Sequence, residues 1–216
     1  MSATAADYVW FEEGFPELAE AYCFTLVRGV APAELLRRLG GREEKAPGGM
    51  DAFVDAAFDL HESGGEDGGE GEHGGRQFVA MASVGGWTLM IEPNGYVGVT
   101  EDRALVASAG ACWVSHFVNI DGVDSFLWAE DTVRRLSFEP TFPDHRYGST
   151  PDAALAEMEE AGFPLGREES EGPEESEGPE ADVHAAAFAL AERLTGIAVT
   201  SGLLENGEFV CGSVPF

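Results

Sequence analysis

Hydrophobic and polar residues alternate through much of the stretch from Gln77 to Thr141, which is the period of a β-strand. Residues 87–92 form one predicted strand, and Pro93 ends it. Asn94-Gly95 then supplies the positive φ angles of a tight turn. Tyr96 to Thr100 is therefore expected to return as the partner strand of this hairpin.

The second half of the stretch is rich in aromatic and β-branched residues, which are common in strands. After a short helix expected near residues 101–109, strands are predicted at 112–118, 125–128 and 132–138. Asp121-Gly122 provides the turn between the first two of these strands. The region thus predicts a mainly antiparallel sheet.

Segments with one apolar side flank this region on both sides. Helices are predicted at residues 32–40, 51–61, 152–162 and 182–196, and further strands at residues 22–28 and 208–216. Tyr8, Trp10 and Phe11 are expected to anchor the amino-terminal segment on the sheet. The predicted fold class is α+β, a single mainly antiparallel β-sheet with several helices packed on it.

Two acidic segments interrupt the apolar pattern and divide the chain. Residues 63–75 lack apolar side chains and are predicted to be a flexible loop. Residues 167–181 contain the hexapeptide Glu-Glu-Ser-Glu-Gly-Pro twice and are predicted to be a disordered linker. We therefore expect an α+β domain over residues 1–166, and a C-terminal helix and tail over residues 182–216 that dock back on it.

The chain is strongly acidic, with 40 acidic residues, 12 lysines and arginines, and a net charge of −28. The tandem segment at 167–180 contributes −6 and the acids between 62 and 72 contribute −5, which leaves −17 for the remainder. Such a surface repels phosphate backbones and anionic lipids. Neither a nucleic acid nor a membrane is expected as a partner, whereas a basic protein is compatible with this charge.

The three cysteines, Cys23, Cys112 and Cys211, are widely spaced and odd in number, which favours buried, reduced thiols. Residues 1–8 lack the basic and apolar regions of a signal peptide. No window of 18 uninterrupted apolar residues occurs either. These features predict a cytoplasmic protein.

The sequence contains none of the standard catalytic or cofactor-binding motifs, so no catalytic residue and no cofactor site are predicted. Ser115 and His116 are neighbours on a predicted strand and point to opposite faces, so they do not form a triad. His61 and His73 flank the acidic loop, but a glycine-rich loop holds tetrahedral geometry poorly, so no metal site is expected.

Arginines cluster near the end of the predicted sheet, which is unusual in so acidic a chain. Arg134, Arg135 and Arg146 either pair with local acids and hold the adjacent loop, or bind an anion or carboxylate. Together with Trp113 on the aromatic-rich sheet, they are the candidate binding residues.

Several segments together resemble an uncharacterised actinobacterial family. They are Trp10, residues 22–29, residues 35–40, Trp87 with Asn94-Gly95, Phe138-Glu139-Pro140, Pro143, Arg146, Gly148, Pro151 and residues 191–196. The resemblance covers most of the chain outside the acidic segments. It implies a bacterial cytosolic α+β protein and no particular activity.

The expected function is that of a non-enzymatic cytosolic binding or regulatory protein, of the immunity or accessory kind, with an unidentified partner. The alternative is a small-molecule enzyme, such as a hydrolase, with a cleft near Arg146 that contains His145 and Glu139. A pocket that holds carboxylates or histidines with strongly perturbed pKa values would favour the enzyme, whereas a flat, exposed aromatic patch would favour binding of a partner.

Overall fold

The computed structural model describes residues 3–64, 75–166 and 182–215, and within them it shows one sheet of eight strands with only antiparallel pairs. The strands are β1 (Tyr22–Arg28), β2 (Arg42–Glu43), β3 (Arg76–Val84), β4 (Trp87–Pro93), β5 (Cys112–Val118), β6 (Asp124–Glu130), β7 (Val133–Phe138) and β8 (Val210–Pro215). Their order across the sheet is β2-β8-β3-β4-β1-β5-β6-β7. The predicted α+β fold with a single antiparallel sheet is confirmed.

The α-helices within the described ranges are α1 (Trp10–Gly14), α2 (Pro16–Glu20), α3 (Pro32–Arg38), α4 (Met50–Gly64), α5 (Glu101–Ala107), α6 (Leu155–Ala161), α7 (Val183–Thr195) and α8 (Ser201–Asn206). Short 3-10 helices lie at Ala5–Asp7 and Val97–Val99. We call the face of the sheet that carries Phe24, Leu89 and Val114 the broad face, and the face that carries Val27, Met90 and Trp113 the narrow face.

The broad face is covered by helices from both ends of the chain. Helix α7 begins after Asp182, whose carboxylate accepts a hydrogen bond from the Ala185 amide at 2.8 Å, and it ends at Gly196 in a left-handed conformation. Its Phe188 ring lies 4.8 Å from Phe11 and 5.0 Å from Phe24, between ring centroids. The aromatic amino-terminal segment is therefore anchored on the sheet, as predicted.

The narrow face is covered by α3, α5 and the 3-10 turn Val97–Val99. Arg103 of α5 donates to the carbonyl of Leu39 at 2.8 Å and to the carbonyl of Pro215 at 2.6 Å. Arg38 of α3 donates to the carbonyls of Ala107 and Ala109, both at 2.9 Å, at the end of α5. These arginines hold the two helices together over the middle of the sheet.

Two predicted elements differ from the structure. Tyr96 to Thr100 was expected as a strand, but this prediction is wrong, because β4 pairs with β3 and β1. Asn94 does have the expected positive φ of 49°, yet the chain then folds over the narrow face as a 3-10 turn. The helix expected from residue 152 begins only at Leu155.

The apolar end of the chain predicts a short edge strand, but β8 is an internal strand that lies between β3 and β2. Strand β2 has only two residues, and so short a segment has no period that could predict it. The predicted loop at 63–75 overlaps the end of α4 at Ser63 and Gly64, and its residues 65–74 lie outside the described residues. The predicted linker at 167–181 also lies outside them.

Candidate functional site: a cleft at the open end of the sheet

A cleft of about 230 Å³ opens where the helices of the narrow face no longer cover the sheet. We call it the end cleft. It is lined by Ser125, Ser137, Phe138, Glu139, His145 and Tyr147.

Alternation along β6 and β7 places the floor of the end cleft on the narrow face. On β6, Leu127 belongs to the narrow-face core and Phe126 to the broad-face core, so Ser125 shares the narrow face with Leu127. On β7, Leu136 packs in the broad-face core and Ser137 points the other way. The floor is therefore polar, since both β6 and β7 place a serine there.

The segment after β7 forms the wall of the cleft because it returns along the sheet edge. The amides and carbonyls of Ser137 and Tyr147 exchange hydrogen bonds of 2.7 and 2.9 Å. Gly148 has φ 136°, and a Cβ at this position would lie 2.3 Å from the carbonyl oxygen of Arg135. Only glycine allows so close an approach, and the segment thereby covers part of the outer edge of β7.

Asp124 and Arg146 hold this wall from opposite sides. The buried Asp124 carboxylate accepts hydrogen bonds from the amide of Thr141, at 3.0 Å, and from its hydroxyl. The Arg146 guanidinium donates to the carbonyl of Pro143 at 2.5 Å and pairs with Asp144 and Asp152 at 3.4 and 3.3 Å. Both contacts fix the shape of the loop that contains His145.

The structure pairs each candidate arginine with a neighbouring acid. Arg134 lies 2.7 Å from Glu101, and Arg135 lies 3.2 Å from Glu130. The Arg146 side chain is only 14% exposed and is engaged by its own loop. These contacts match the alternative in which the arginines pair with local acids and hold the adjacent loop. A role of the arginines in binding an anion or carboxylate stays a prediction.

Trp113, the fourth candidate, lies in the core of the narrow face with an exposed fraction of 0%. Its indole nitrogen donates to the carbonyl of Gly98 at 2.9 Å. The side chain therefore contacts the 3-10 turn rather than solvent, and any effect on a ligand passes through the residues that it supports.

Glu139 is the acidic side chain that lines the end cleft, and no ion-pair partner for it occurs within residues 3–64, 75–166 and 182–215. Two exposed aromatic side chains lie near it in the chain. Tyr147, which also lines the cleft, is 62% exposed, and Phe142, whose amide donates to the Glu139 carbonyl, is 52% exposed. Ile120 and Val123, in the turn between β5 and β6, extend the apolar surface at the same end of the sheet. A carboxylate among aromatic rings can hold an organic cation by ion pairing and cation–π contact.

A second polar cluster, which sequence reasoning missed, lies buried under the 3-10 turn. The Glu92 carboxylate accepts hydrogen bonds from the amides of Val97 and Gly98 at 2.9 and 2.8 Å. Ser115 and Trp113 both donate to the carbonyl of Gly98. These bonds fold the segment after β4 over the sheet, which explains why it is not the predicted strand.

This buried cluster is tightly packed around Gly98. A Cβ at Gly98 would lie 2.1 Å from the Thr25 hydroxyl and 2.8 Å from the Cys23 sulfur. Burial raises the pKa of Glu92 to about 7, and burial likewise raises the pKa of the Cys23 thiol. All of these side chains are buried, so the cluster positions the turn and gives no access to a ligand.

His116 and His184 lie on the broad face near β6. Burial lowers the pKa of His116 to about 3, and its ring packs 4.3 Å from that of Phe188. His184 lies 3.5 Å from the carboxylate of Asp124 and thus links α7 to the residue that holds the cleft wall. The three cysteines are free and buried.

Metal-binding groups and membrane-spanning helices are both absent from the described part of the chain. No group of three or more histidine, cysteine, aspartate or glutamate side chains in these ranges is arranged to hold a metal ion. Likewise, none of the described helices is long and apolar enough to cross a bilayer. Residue His73, considered above as a metal ligand, lies outside the described residues.

Comparison with known protein families gives a match over the whole chain. A family model described as a family of unknown function, DUF6461, matches residues 1–216. The expected membership of an uncharacterised family is therefore confirmed, while an actinobacterial origin stays a prediction. No curated protein and no solved structure matches the chain.

Proposed function

We propose that this chain, which belongs to the DUF6461 family, is a non-enzymatic binding protein that holds a basic segment of a partner protein in the end cleft. One observation carries this proposal. Glu139 lines the cleft without an ion-pair partner among the described residues, whereas the arginines around it are already paired.

The surroundings of Glu139 favour a lysine or arginine side chain of the partner. Tyr147 and Phe142 offer exposed aromatic faces, on which a guanidinium or ammonium group packs favourably. Ser125 and Ser137 supply hydroxyl acceptors on the floor. The arrangement therefore recognises a cation by charge, ring contact and hydrogen bonding together.

The charge of the whole chain supports the same partner. A net charge of −28 attracts a basic surface over several ångströms and raises the rate of encounter. We further propose a cytoplasmic location, which the three free, buried cysteines support. Immunity and accessory proteins that cover a basic partner are the functional class that fits these features.

The test is capture of partners from a host lysate, followed by affinity measurement with three forms of the protein. Glu139→Lys should weaken binding at least tenfold, because it replaces the cleft carboxylate by a repelling charge. Glu159→Lys makes the same charge change on the exposed side of α6, away from the cleft, and is the matched control.

The salt dependence provides a second readout. Affinity should fall between about 0.05 and about 0.5 M salt, since the screening length shortens severalfold over this range. Equal losses for the two lysine variants, or an affinity that salt does not change, would sink the proposal.

A hydrolase is the second candidate, because the end cleft brings His145 and Glu139 together with two serines. In this function His145 acts as general base toward a serine hydroxyl or a water molecule. Incubation with a panel of aryl esters and phosphate esters tests it. Turnover that is lost in His145→Ala would support the hydrolase, and turnover that persists in this variant would refute it.

A further inference from the structure

A second pocket, remote from the end cleft, opens between α4 and the segment that joins α8 to β8. It has a volume of about 210 Å³, and we call it the side pocket. Its lining includes Met50, Phe53, Ala80, Leu204, Phe209 and Cys211.

The side pocket exists because two small side chains meet on the sheet. Ala80 of β3 and Cys211 of β8 are paired in register, and both point to the broad face. Phe53 of α4 and Leu204 of α8 stand on either side of this pair. The pair forms an apolar floor with Phe53 and Leu204 beside it, while Glu205 and Asn206 make another part of the lining polar.

We propose that the side pocket binds a small molecule with an apolar body of about one ring and a cationic amino group. An apolar cavity of about 150 Å³ holds a benzene molecule. The side pocket, at about 210 Å³, therefore has room for one ring and a short chain. Met50, Phe53 and Phe209 provide the contact surface for such a body.

The charge at the rim of the side pocket favours a ligand that carries an amino group. Glu205, which is exposed at the rim, is the carboxylate of the lining, and the lining includes neither lysine nor arginine. Asn206 adds an amide next to it. The amino end of α4, which would favour an anion, already has its own acid, Asp51, in the first turn. The rim therefore favours an amine over a carboxylate of the same size.

The experiment compares three probes that share a phenyl ring: 2-phenylethylamine, 2-phenylethanol and phenylacetate. Chemical shifts of the intact protein are followed during each titration. Saturable shifts are expected at Ala80 and Cys211, with Kd values of about 1 to 10 mM, because ligands of this size make limited contact. The order of affinity should be amine, then alcohol, then carboxylate.

Two matched variants separate charge from shape. Glu205→Gln should weaken the amine about two- to fivefold, as expected for an exposed ion pair, and leave the alcohol unchanged. Glu208→Gln removes an equivalent exposed charge that does not line the pocket, and it should change neither affinity. Ala80→Leu should abolish binding of all three probes by filling the floor.

Several results would overturn the inference. They are shifts that do not saturate or that fall outside the lining, phenylacetate binding as tightly as the amine, or equal effects of the two glutamine variants. Titration of the unaltered protein with the three probes shows by itself where they bind, even when Ala80→Leu does not fold. The side pocket does not share a lining residue with the end cleft, so the two proposals fail independently.

Discussion

Replacing Glu92 by Gln should remove one pH-dependent contribution to the stability of this protein. Glu92 is 0% exposed and accepts hydrogen bonds from two backbone amides of the 3-10 turn. Burial is the largest effect on this carboxyl group and raises its pKa from 4.5 to about 7. The two amide hydrogen bonds lower the pKa but only partly offset the burial.

The direction in which stability changes with pH follows from the number of protons that Glu92 binds in the folded and unfolded states. Between pH 4.5 and about 7, Glu92 binds more protons in the folded state than in the unfolded state. The free energy of unfolding therefore falls as pH rises through this window, and the contribution of Glu92 is constant outside it. A difference of this size in pKa corresponds to about 3 kcal/mol.

A second buried group acts in the opposite direction. Burial lowers the pKa of His116 from 6.5 to about 3, so the unfolded state binds more protons between these values. This contribution makes the free energy of unfolding rise with pH up to about 6.5. The two slopes partly cancel in the unaltered protein, and only a comparison with a variant isolates the effect of Glu92.

The assay is urea unfolding of the unaltered protein and of Glu92→Gln between pH 4.5 and 8. The difference in unfolding free energy between the two should be larger at pH 4.5 than at pH 8, by about 3 kcal/mol. Gln has a single acceptor oxygen and its side-chain nitrogen only donates, so one of the two amide hydrogen bonds is lost, which adds a penalty that is independent of pH. Glu159→Gln, on the exposed side of α6, is the matched control variant. A difference that stays constant within about 0.5 kcal/mol across this range would refute the burial argument.

Three further predictions concern the rest of the chain. Leu190→Asp should lower the free energy of unfolding by at least about 3 kcal/mol in a denaturant titration, because Leu190 is fully buried in α7; an unchanged midpoint would contradict the packing of this helix. Deletion of residues 168–179 should leave the melting temperature nearly unchanged, since the repeat has no apolar side chain to pack. Arg146→Ala should weaken partner binding and cost about 1 to 2 kcal/mol of stability through loss of the Pro143 contact; binding as strong as that of the unaltered protein would exclude Arg146 from a role in the cleft.

The local pattern of the sequence was sufficient for most of the fold. Aromatic and β-branched residues predicted β5 at its observed bounds, and the helix predicted at 182–196 matches α7, which is capped by Asp182 and Gly196. These features depend on residues that are close in sequence, so periodicity and capping identify them. The α+β class followed from the same patterns.

The candidate site was predictable only in part. His145, Glu139 and Arg146 were recognised as neighbours in sequence, and His145 and Glu139 do line the end cleft. Sequence reasoning did not place Ser125 in the cleft, because that residue reaches it through the pairing of β6 with β7. The ion pair of Arg134 with Glu101 spans 33 residues, and no local pattern identifies such a partner.

Long-range contacts, and not the local pattern, set the conformation of the segment from Tyr96 to Thr100. Its sequence follows a tight turn and is suited to a strand, but β3 and β1 already occupy both edges of β4. The amides of Val97 and Gly98 therefore bond to the Glu92 carboxylate instead, and the segment covers the narrow face. Local sequence sets which segments tend to form strands or helices, because that tendency depends on residues close together in the chain. Which segments pair, and which side chains lose contact with water, was decided by competition among distant parts of the chain for the same hydrogen bonds and the same apolar surface.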